Sequence, residues 1–179
     1  MGRDKGLALL AGAPVVSLLA TRLRPQVTAL AVNSNGPVGP YRALGFEVLP
    51  DRIGGLPGPL AGVHAGLAQW PEAGLLVVAV DCPFVPADLG RRLGAALHGA
   101  ALCAYATCGG RHAPAMFWRA GVAHEVEGLI AAGERSLKSV FAARRVAVEF
   151  APTAQADLSI NLNTAEDLAA AQRWLDARD

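Results

Sequence analysis

The chain has 179 residues, of which 53% are hydrophobic and 17% are charged. Such a length and composition predict one globular domain with a sizeable core, and they exclude a disordered or low-complexity protein. The net charge of +1 and the lack of a basic stripe in the sequence argue against binding to nucleic acid.

The first half of the chain alternates helical patterns with short apolar strands. Apolar residues at helical spacing predict helices over residues 14–24, 41–44 and 60–70. Compact apolar runs predict strands over residues 27–32, 46–49 and 75–80. The last of these runs is continuous, which is typical of a strand buried on both faces of a sheet.

An apolar run near the N-terminus, residues 7–20, follows two basic residues and so resembles a secretory signal peptide. Asp4 lies in the basic part, Pro14 interrupts the run, and the residues that follow make a poor cleavage site. We therefore interpret the segment as part of the fold. No other apolar stretch in the sequence approaches the length of a membrane span.

The second half of the chain continues the alternation. Helices are predicted over residues 86–97, 122–132, 136–144 and 164–177, the last with Asn163 or Thr164 as its cap. Strands are predicted over residues 101–107, 113–118 and 146–150, with a Gly109-Gly110 turn between the first two.

Alternating strands and helices predict an α/β fold of three layers, α/β/α, with a Rossmann-like, mostly parallel sheet. Ligands of such folds lie beyond the carboxyl ends of the strands. Asn33, Asp51 and Asp81 each follow a predicted strand, so we expect them to share one edge of the sheet.

The three cysteines are Cys82, Cys103 and Cys108. An odd number without a CxxC pair or a histidine cluster argues against a disulfide framework and against a zinc site. Buried, reduced thiols in a cytosolic protein are expected. Cys82 and His112 have no partner at a diagnostic spacing, and we interpret both as structural.

Several short motifs follow one another along the chain. They are M-G-R-D-K at 1–5, N-S-N at 33–35, G-F-E-V-L-P-D at 45–51, G-P-L-A-G at 58–62, G-L at 66–67, D-C-P-F-V-P at 81–86, G-E-R-S-L-K at 133–138 and N-L-N-T at 161–164. In this order they resemble the molybdenum cofactor guanylyltransferases. The resemblance covers nearly the whole chain, and G-P-L-A-G together with N-L-N-T is its most specific part.

The resemblance implies a fold of the nucleotide-diphospho-sugar transferase type and a defined reaction. An enzyme of this family transfers GMP from GTP to the molybdenum–molybdopterin cofactor, which forms the guanine dinucleotide cofactor and pyrophosphate. The attacking phosphate is already an anion, so the chemistry depends on charge neutralisation and alignment and needs no general base.

The same resemblance implies roles for particular residues. Lys5 and Asp81 would be catalytic, with Lys5 facing the triphosphate and Asp81 holding Mg²⁺. The remaining expected binding residues are Asn33, Asp51, Gly58 and Gly62 for GTP, and Arg135, Asn161 and Asn163 for the molybdenum cofactor. A purely structural role stays open for several of these residues. The alternatives are a solvated Lys5, an Asp81 that caps the turn at Pro86 or is buried and held by backbone N–H groups, strand-end turns at Asn33 and Asp51, a loop-shaping glycine segment, and a surface Arg135.

The family signature has a strand and an L-A-G-G segment ahead of R-M-G-x-D-K, and this chain begins at the M. The resemblance thus implies a single nucleotidyltransferase domain, residues 1–179, that is N-terminally incomplete. We expect the missing strand and glycine segment to be encoded upstream. Without them, a sheet would have unpaired backbone at an internal groove, and guanylyl transfer would be weak or absent.

Two other interpretations of the sequence stay open. One is a related nucleotidyltransferase, either a cytidylyl enzyme of the same cofactor pathway or an enzyme acting on a sugar phosphate. The other is a nucleotide-binding or partner-docking module without activity. The expected partners are GTP and the molybdopterin cofactor, with transient contacts to cofactor-synthesis proteins and molybdoenzymes. A monomeric protein of the cytoplasm is expected, with no nucleic acid and no membrane partner.

Overall fold

The computed structural model describes residues 4–53, 58–133 and 144–177. Its helices and strands alternate along the chain in the order β1 (Leu9–Leu10), β2 (Ala13–Pro14), α1 (Val15–Leu23), β3 (Ala31–Asn33), α2 (Gly39–Ala43), β4 (Glu47–Leu49), α3 (Pro59–Gln69), β5 (Leu75–Val78), α4 (Leu89–Ala95), β6 (Cys103–Cys108), β7 (Arg111–Trp118), α5 (Ala123–Ala131), β8 (Arg145–Glu149) and α6 (Ala165–Asp176). Two 3₁₀ turns, Lys5–Leu7 and Arg24–Gln26, complete this set. The predicted α/β class is confirmed.

The main sheet has four strands in the order β5-β7-β6-β8. Strand β7 runs antiparallel to both of its neighbours, and β6 and β8 pair in parallel. Three of the four strands therefore run in one direction. Strands β3 and β4 form a separate parallel pair, which among the described residues has no backbone ladder to the main sheet.

Alternate side chains of the main sheet face two different helical layers, because successive residues of a strand point to opposite faces. Cys103, Met116 and Trp118 lie in one buried cluster with residues of α3 and α5. Ala104 and Ala115, which are sequence neighbours of residues in the first cluster, lie in a second cluster with residues of α1 and α4. The sheet is thus the middle layer of three.

Two elements are shorter than predicted because of the hydrogen bonds that their backbones form. The strand predicted over 27–32 is only Ala31–Asn33, because its partner β4 offers three residues to pair with. The helix predicted over 86–97 is Leu89–Ala95, because the backbone from Pro86 first forms a turn in which Leu89 N–H donates to Pro86 O.

Three further elements bear on the predictions. Strand β5 contacts both clusters as expected, but its side chains are only partly buried because it is an edge strand of the four-stranded sheet. The short hairpin β1–β2 was not predicted. The helix predicted over 136–144 falls almost wholly outside the described residues.

The turn between β6 and β7 contains Gly109 and Gly110, as predicted. Their φ angles are +58° and +71°, a conformation in which a side chain is strained. Glu149 of β8 accepts a hydrogen bond from Gly109 N–H at 2.6 Å, so the turn is also tied to the parallel neighbour of β6.

Within the described ranges, no helix combines the length and the apolar character that crossing a membrane requires. All three cysteines are buried and unpaired, as predicted. Burial raises the pKa of the Cys82 thiol to about 12, so this thiol stays neutral at ordinary pH.

Helix α6 begins at a capping box formed by Thr164 and Asp167. Asp167 N–H donates to Thr164 Oγ1 at 3.1 Å, and Thr164 N–H donates to Asp167 Oδ2 at 2.8 Å. Thr164, one of the two caps considered from sequence, is therefore the cap.

We expect Thr164→Ala to lower the free energy of unfolding by about 1 kcal/mol, the usual value of such a cap. The measurement is urea denaturation followed by circular dichroism. Thr164→Ser keeps the hydroxyl and is the matched control, which should stay close to the unmodified chain. Equal losses in both variants would contradict the capping role.

Candidate active site

The segment that follows β5 meets the segment before α6 at the end of the main sheet. Leu162 N–H donates to Asp81 O at 2.8 Å, which joins the two segments through the backbone. Within the segment before α6, Asn163 Nδ2 donates to Asn161 Oδ1 at 3.0 Å.

Lys5 lies between these two segments. Its ammonium group donates to Asp81 Oδ2 at 3.1 Å and to Asn163 Oδ1 at 2.5 Å. Lys5, Asp81, Asn161 and Asn163 together are called the lysine cluster below. Three parts of the chain, far apart in sequence, thus place one cation, one carboxylate and two amides together.

The two carboxylate oxygens of Asp81 have different surroundings. Oδ2 forms the ion pair with Lys5, and the Asp81 side chain is 17% exposed. Oδ1 is buried and has no hydrogen-bond partner among the described residues. A buried acceptor without a partner costs about 1–3 kcal/mol, so an additional donor or cation at this oxygen would be favourable.

The capping box of α6 fixes Asn163 in the lysine cluster. Asp167 Oδ2 accepts from Asn163 N–H at 3.0 Å as well as from Thr164 N–H. The hydrogen bond from Thr164 N–H, followed by that from Asn163 N–H, lowers the pKa of Asp167. The carboxylate therefore stays charged and holds the backbone of Asn163 at neutral pH.

A second group of polar side chains lies at the ends of β3 and β4. Asn33 Nδ2 donates to Asp51 Oδ1 at 2.9 Å and to Leu49 O at 3.0 Å. Asn35 Nδ2 donates to Asp51 Oδ2 at 2.6 Å, and Asn35 Oδ1 accepts from Asp51 N–H at 2.9 Å. Asn33, Asn35 and Asp51 are called the amide cluster below. Both oxygens of Asp51 are thus held by amide donors.

The first turn of α3 packs directly against the amide cluster. Gly58 precedes this helix with a φ of +127°, which favours glycine. A Cβ atom at Gly62 would collide with Asn33 Oδ1. The G-P-L-A-G segment therefore combines a helix N-terminus with a close approach to Asn33, and it was predicted to lie at the nucleotide.

The structure brings the predicted residues together in two groups. Lys5, Asp81, Asn161 and Asn163 meet in the lysine cluster, while Asn33, Asp51 and Gly62 meet at the amide cluster. No direct hydrogen bond between the two groups occurs among the described residues. Arg135, which was also predicted to bind, lies outside the described residues.

Two residues with structural roles at the site were not predicted. Asp4 caps the turn Lys5–Leu7 by accepting from Gly6 N–H at 3.0 Å, and Asn35 holds Asp51. Both lie inside motifs that the sequence displays, M-G-R-D-K and N-S-N. Their residue type is the sequence signal for these structural roles, because Asp and Asn side chains commonly form hydrogen bonds with nearby backbone in turns.

Charged and amide side chains at the carboxyl ends of strands in a three-layer fold are typical of nucleotide-binding α/β proteins. The family profile described as "MobA-like NTP transferase domain" matches residues 1–148. The chain belongs to this family of nucleotidyltransferases.

Relatives and solved structures agree with this family. The chain is 43% identical over 178 residues to the molybdenum cofactor guanylyltransferase of Cereibacter sphaeroides, covering 97% of this chain and 89% of the relative. It is 42% identical over 179 residues to that of Rhodobacter capsulatus, covering 96% and 88%. The crystal structure of molybdopterin-guanine dinucleotide biosynthesis protein A from Archaeoglobus fulgidus matches with a TM-score of 0.75 at 17% identity, covering 98% and 92% of the two chains.

Substitution by alanine should change the free energy of unfolding in opposite directions at two glycines, Gly62 and Gly128. We expect Gly62→Ala to lower the free energy of unfolding by about 1–3 kcal/mol, because Asn33 can move away only by losing its bonds to Leu49 and Asp51. Gly128, in α5, has open space where a Cβ would lie. Gly128→Ala should therefore raise the free energy of unfolding by about 0.5–1 kcal/mol.

Urea denaturation of both variants checks this pair. Comparing the two variants cancels the general stabilising effect of replacing glycine by alanine in a helix, because both positions are helical. Stabilisation of both variants would contradict the close packing of α3 on Asn33.

Proposed function

We propose that the protein transfers GMP from GTP to the molybdenum–molybdopterin cofactor, which forms the guanine dinucleotide cofactor and releases pyrophosphate. The names of its relatives support this reaction. The observation that carries it is the lysine cluster at the end of β5. There an ammonium group lies beside a carboxylate whose buried second oxygen has no hydrogen-bond partner among the described residues.

Lys5 binds the triphosphate in this proposal. Among the described residues, its ammonium group donates to two acceptors, the Asp81 carboxylate and the Asn163 amide oxygen. A phosphate oxygen is a stronger acceptor than an amide oxygen because it carries charge. A triphosphate entering the cluster would therefore replace Asn163 as a partner of Lys5, while Lys5 neutralises charge that develops during transfer.

Asp81 fits a magnesium ion. Mg²⁺ prefers oxygen ligands and commonly uses one or two carboxylates together with waters and substrate phosphates. Asp81 Oδ1, which is buried and to which no described residue donates a hydrogen bond, is a carboxylate oxygen of this kind. When bound, the ion would neutralise negative charge on the phosphates of GTP.

The amide cluster and the start of α3 bind the nucleoside part of GTP. Asn33 and Asp51 would contact the base and the ribose, while Gly58 and Gly62 bring backbone close to the ligand. Asp51 is ordered before binding because both of its oxygens already accept from amides. Such ordering lowers the entropy that binding would otherwise cost.

Asn161, Asn163 and Arg135 face the molybdenum cofactor in this proposal. A terminal phosphate oxygen of that cofactor attacks the α-phosphorus of GTP, and the bond from this phosphorus to the pyrophosphate oxygen breaks. No proton has to be removed from the attacking group, so the protein aligns the two phosphates and screens their repulsion. Asn161 and Asn163, which are bonded to each other, can hold the incoming phosphate beside Lys5.

We place this reaction in the cytoplasm, with GTP and the molybdenum cofactor as substrates. Transient contacts with cofactor-synthesis proteins and molybdoenzymes would deliver the cofactor and receive the product.

Nucleotide choice is the first test. We expect GTP with Mg²⁺ to raise the melting temperature, since a ligand at 100 times its Kd stabilises the folded state by about 2.7 kcal/mol. CTP with Mg²⁺ should have a much smaller effect. Differential scanning fluorimetry at equal concentrations measures both. Stabilisation by CTP alone would indicate cytidylyl transfer instead of guanylyl transfer. Stabilisation by neither nucleotide would favour a module without this activity.

The second test concerns Asp81. We expect Asp81→Asn to remove the magnesium-dependent part of GTP binding and to weaken it by about tenfold or more, equivalent to ~1.4 kcal/mol. Titration calorimetry with and without Mg²⁺ separates this effect from simple loss of charge. Asp88→Asn is the matched control, because Asp88 is exposed and pairs with Arg91 instead. A magnesium dependence that survives in Asp81→Asn would contradict the assignment.

A further inference from the structure

Tyr41 carries a buried hydroxyl group whose partner lies in the segment of Lys5. Tyr41 belongs to α2, between β3 and β4, and is only 3% exposed. Its ring packs in a cluster with Val16, Phe46 and Val48. Its hydroxyl donates to Asp4 Oδ1 at 2.6 Å, across 37 positions of sequence.

The same oxygen of Asp4 holds the turn that presents Lys5. Asp4 Oδ1 accepts from Gly6 N–H at 3.0 Å and so caps the turn Lys5–Leu7. The fit around this turn is close, because a Cβ at Gly6 would lie 2.6 Å from the Tyr41 hydroxyl and 3.1 Å from Val80 Cγ2. Gly6 of this turn thus lies close to both Tyr41 and Val80, the residue that precedes Asp81.

We propose that Tyr41 is a positioning residue: through Asp4 it fixes the turn from which Lys5 reaches Asp81 and Asn163. This rests on the proposed function in taking Lys5 as the residue that binds the triphosphate. A phenylalanine would fill the same space in the cluster, and burying a hydroxyl costs free energy unless it is bonded. The hydrogen bond to Asp4 therefore accounts for the presence of a hydroxyl group at this buried position.

The position of α2 gives this bond a second consequence. Helix α2 lies between Asn35 and β4, so it belongs to the unit that carries the amide cluster. The bond from Tyr41 to Asp4 consequently sets the distance between the amide cluster and Lys5. These are the two parts that would hold the nucleoside and the phosphates of one GTP molecule.

Burial, followed by the hydrogen bond to Asp4, raises the pKa of Tyr41 well above its usual value. The hydroxyl is therefore protonated and able to donate throughout the range in which the protein would be assayed.

Tyr41→Phe tests this inference, with Tyr105→Phe as its matched control. Tyr105, the other tyrosine of the chain, stacks on His112 in the main sheet and lies outside both clusters. Each variant loses one phenolic oxygen. We expect Tyr41→Phe alone to weaken binding of GTP with Mg²⁺ by about tenfold, the usual effect of losing a hydrogen bond that orders a charged partner.

A second readout reports on Lys5 without any nucleotide. The chain has two lysines, Lys5 and Lys138, so acetylation by a water-soluble ester can be followed at each by peptide mass spectrometry. In the unmodified chain Lys5 is held by Asp81 and Asn163, which slows its acetylation. We expect Tyr41→Phe to increase the rate at Lys5 severalfold while the rate at Lys138 stays the same.

Variants of Asp4 keep the test decisive if Tyr41→Phe folds poorly. Asp4→Asn retains an oxygen that can accept from Tyr41 and Gly6, whereas Asp4→Ala does not. We expect Asp4→Ala to increase acetylation of Lys5 and Asp4→Asn to restore most of the protection.

The outcomes separate the two proposals. Unchanged acetylation of Lys5 in Tyr41→Phe, or in Asp4→Ala where Tyr41→Phe does not fold, overturns the positioning role whatever happens to GTP. Faster acetylation of Lys5 in an unmodified fold supports that role even if the unmodified chain binds no GTP. In that case only the proposed function fails.

Discussion

The Lys5 ammonium group is the point on which the arrangement of the site depends. It donates to the Asp81 carboxylate after β5 and to the Asn163 amide oxygen before α6, and Asp4 caps the turn that begins at Lys5 by accepting from Gly6 N–H. The Lys5 side chain is 36% exposed, and a salt bridge in such surroundings contributes little to stability. Its importance is therefore geometric, because it links the N-terminal turn to the segments of Asp81 and Asn163, which the backbone bond from Leu162 to Asp81 already joins to each other.

Around this contact the molecule uses short, local bonds to fix each polar group. Asp167 holds the backbone of Asn163, while Asn35 holds both the carboxylate and the backbone of Asp51. The exception is Asp81 Oδ1, which is buried and finds no hydrogen-bond partner in the part of the chain that the structure describes. A buried carboxylate oxygen without a partner favours a ligand at that atom, and a hard cation is the ligand that suits it.

Much of this organisation is predictable from sequence, and the exceptions have physical causes. Periodicity and turn residues predict the α/β class and place Asn33, Asp51 and Asp81 at strand ends, since these signals are local. The bond from Tyr41 to Asp4 spans 37 positions, and neither residue carries a local signal for it. Strand β3 is shorter than its apolar run because the length of a strand depends on its partner. The edge position of β5 depends likewise on long-range pairing.

The reversed direction of β7 has a consequence for the order in which the sheet can form. Because β7 is antiparallel to β6, the two are joined by the Gly109-Gly110 turn and can pair as a hairpin on a scale of about 1–10 μs. Pairing of β5 with β7, and of β8 with β6, closes much longer loops and carries a larger entropic cost. The hairpin is therefore suited to act as the template on which the flanking strands β5 and β8 assemble.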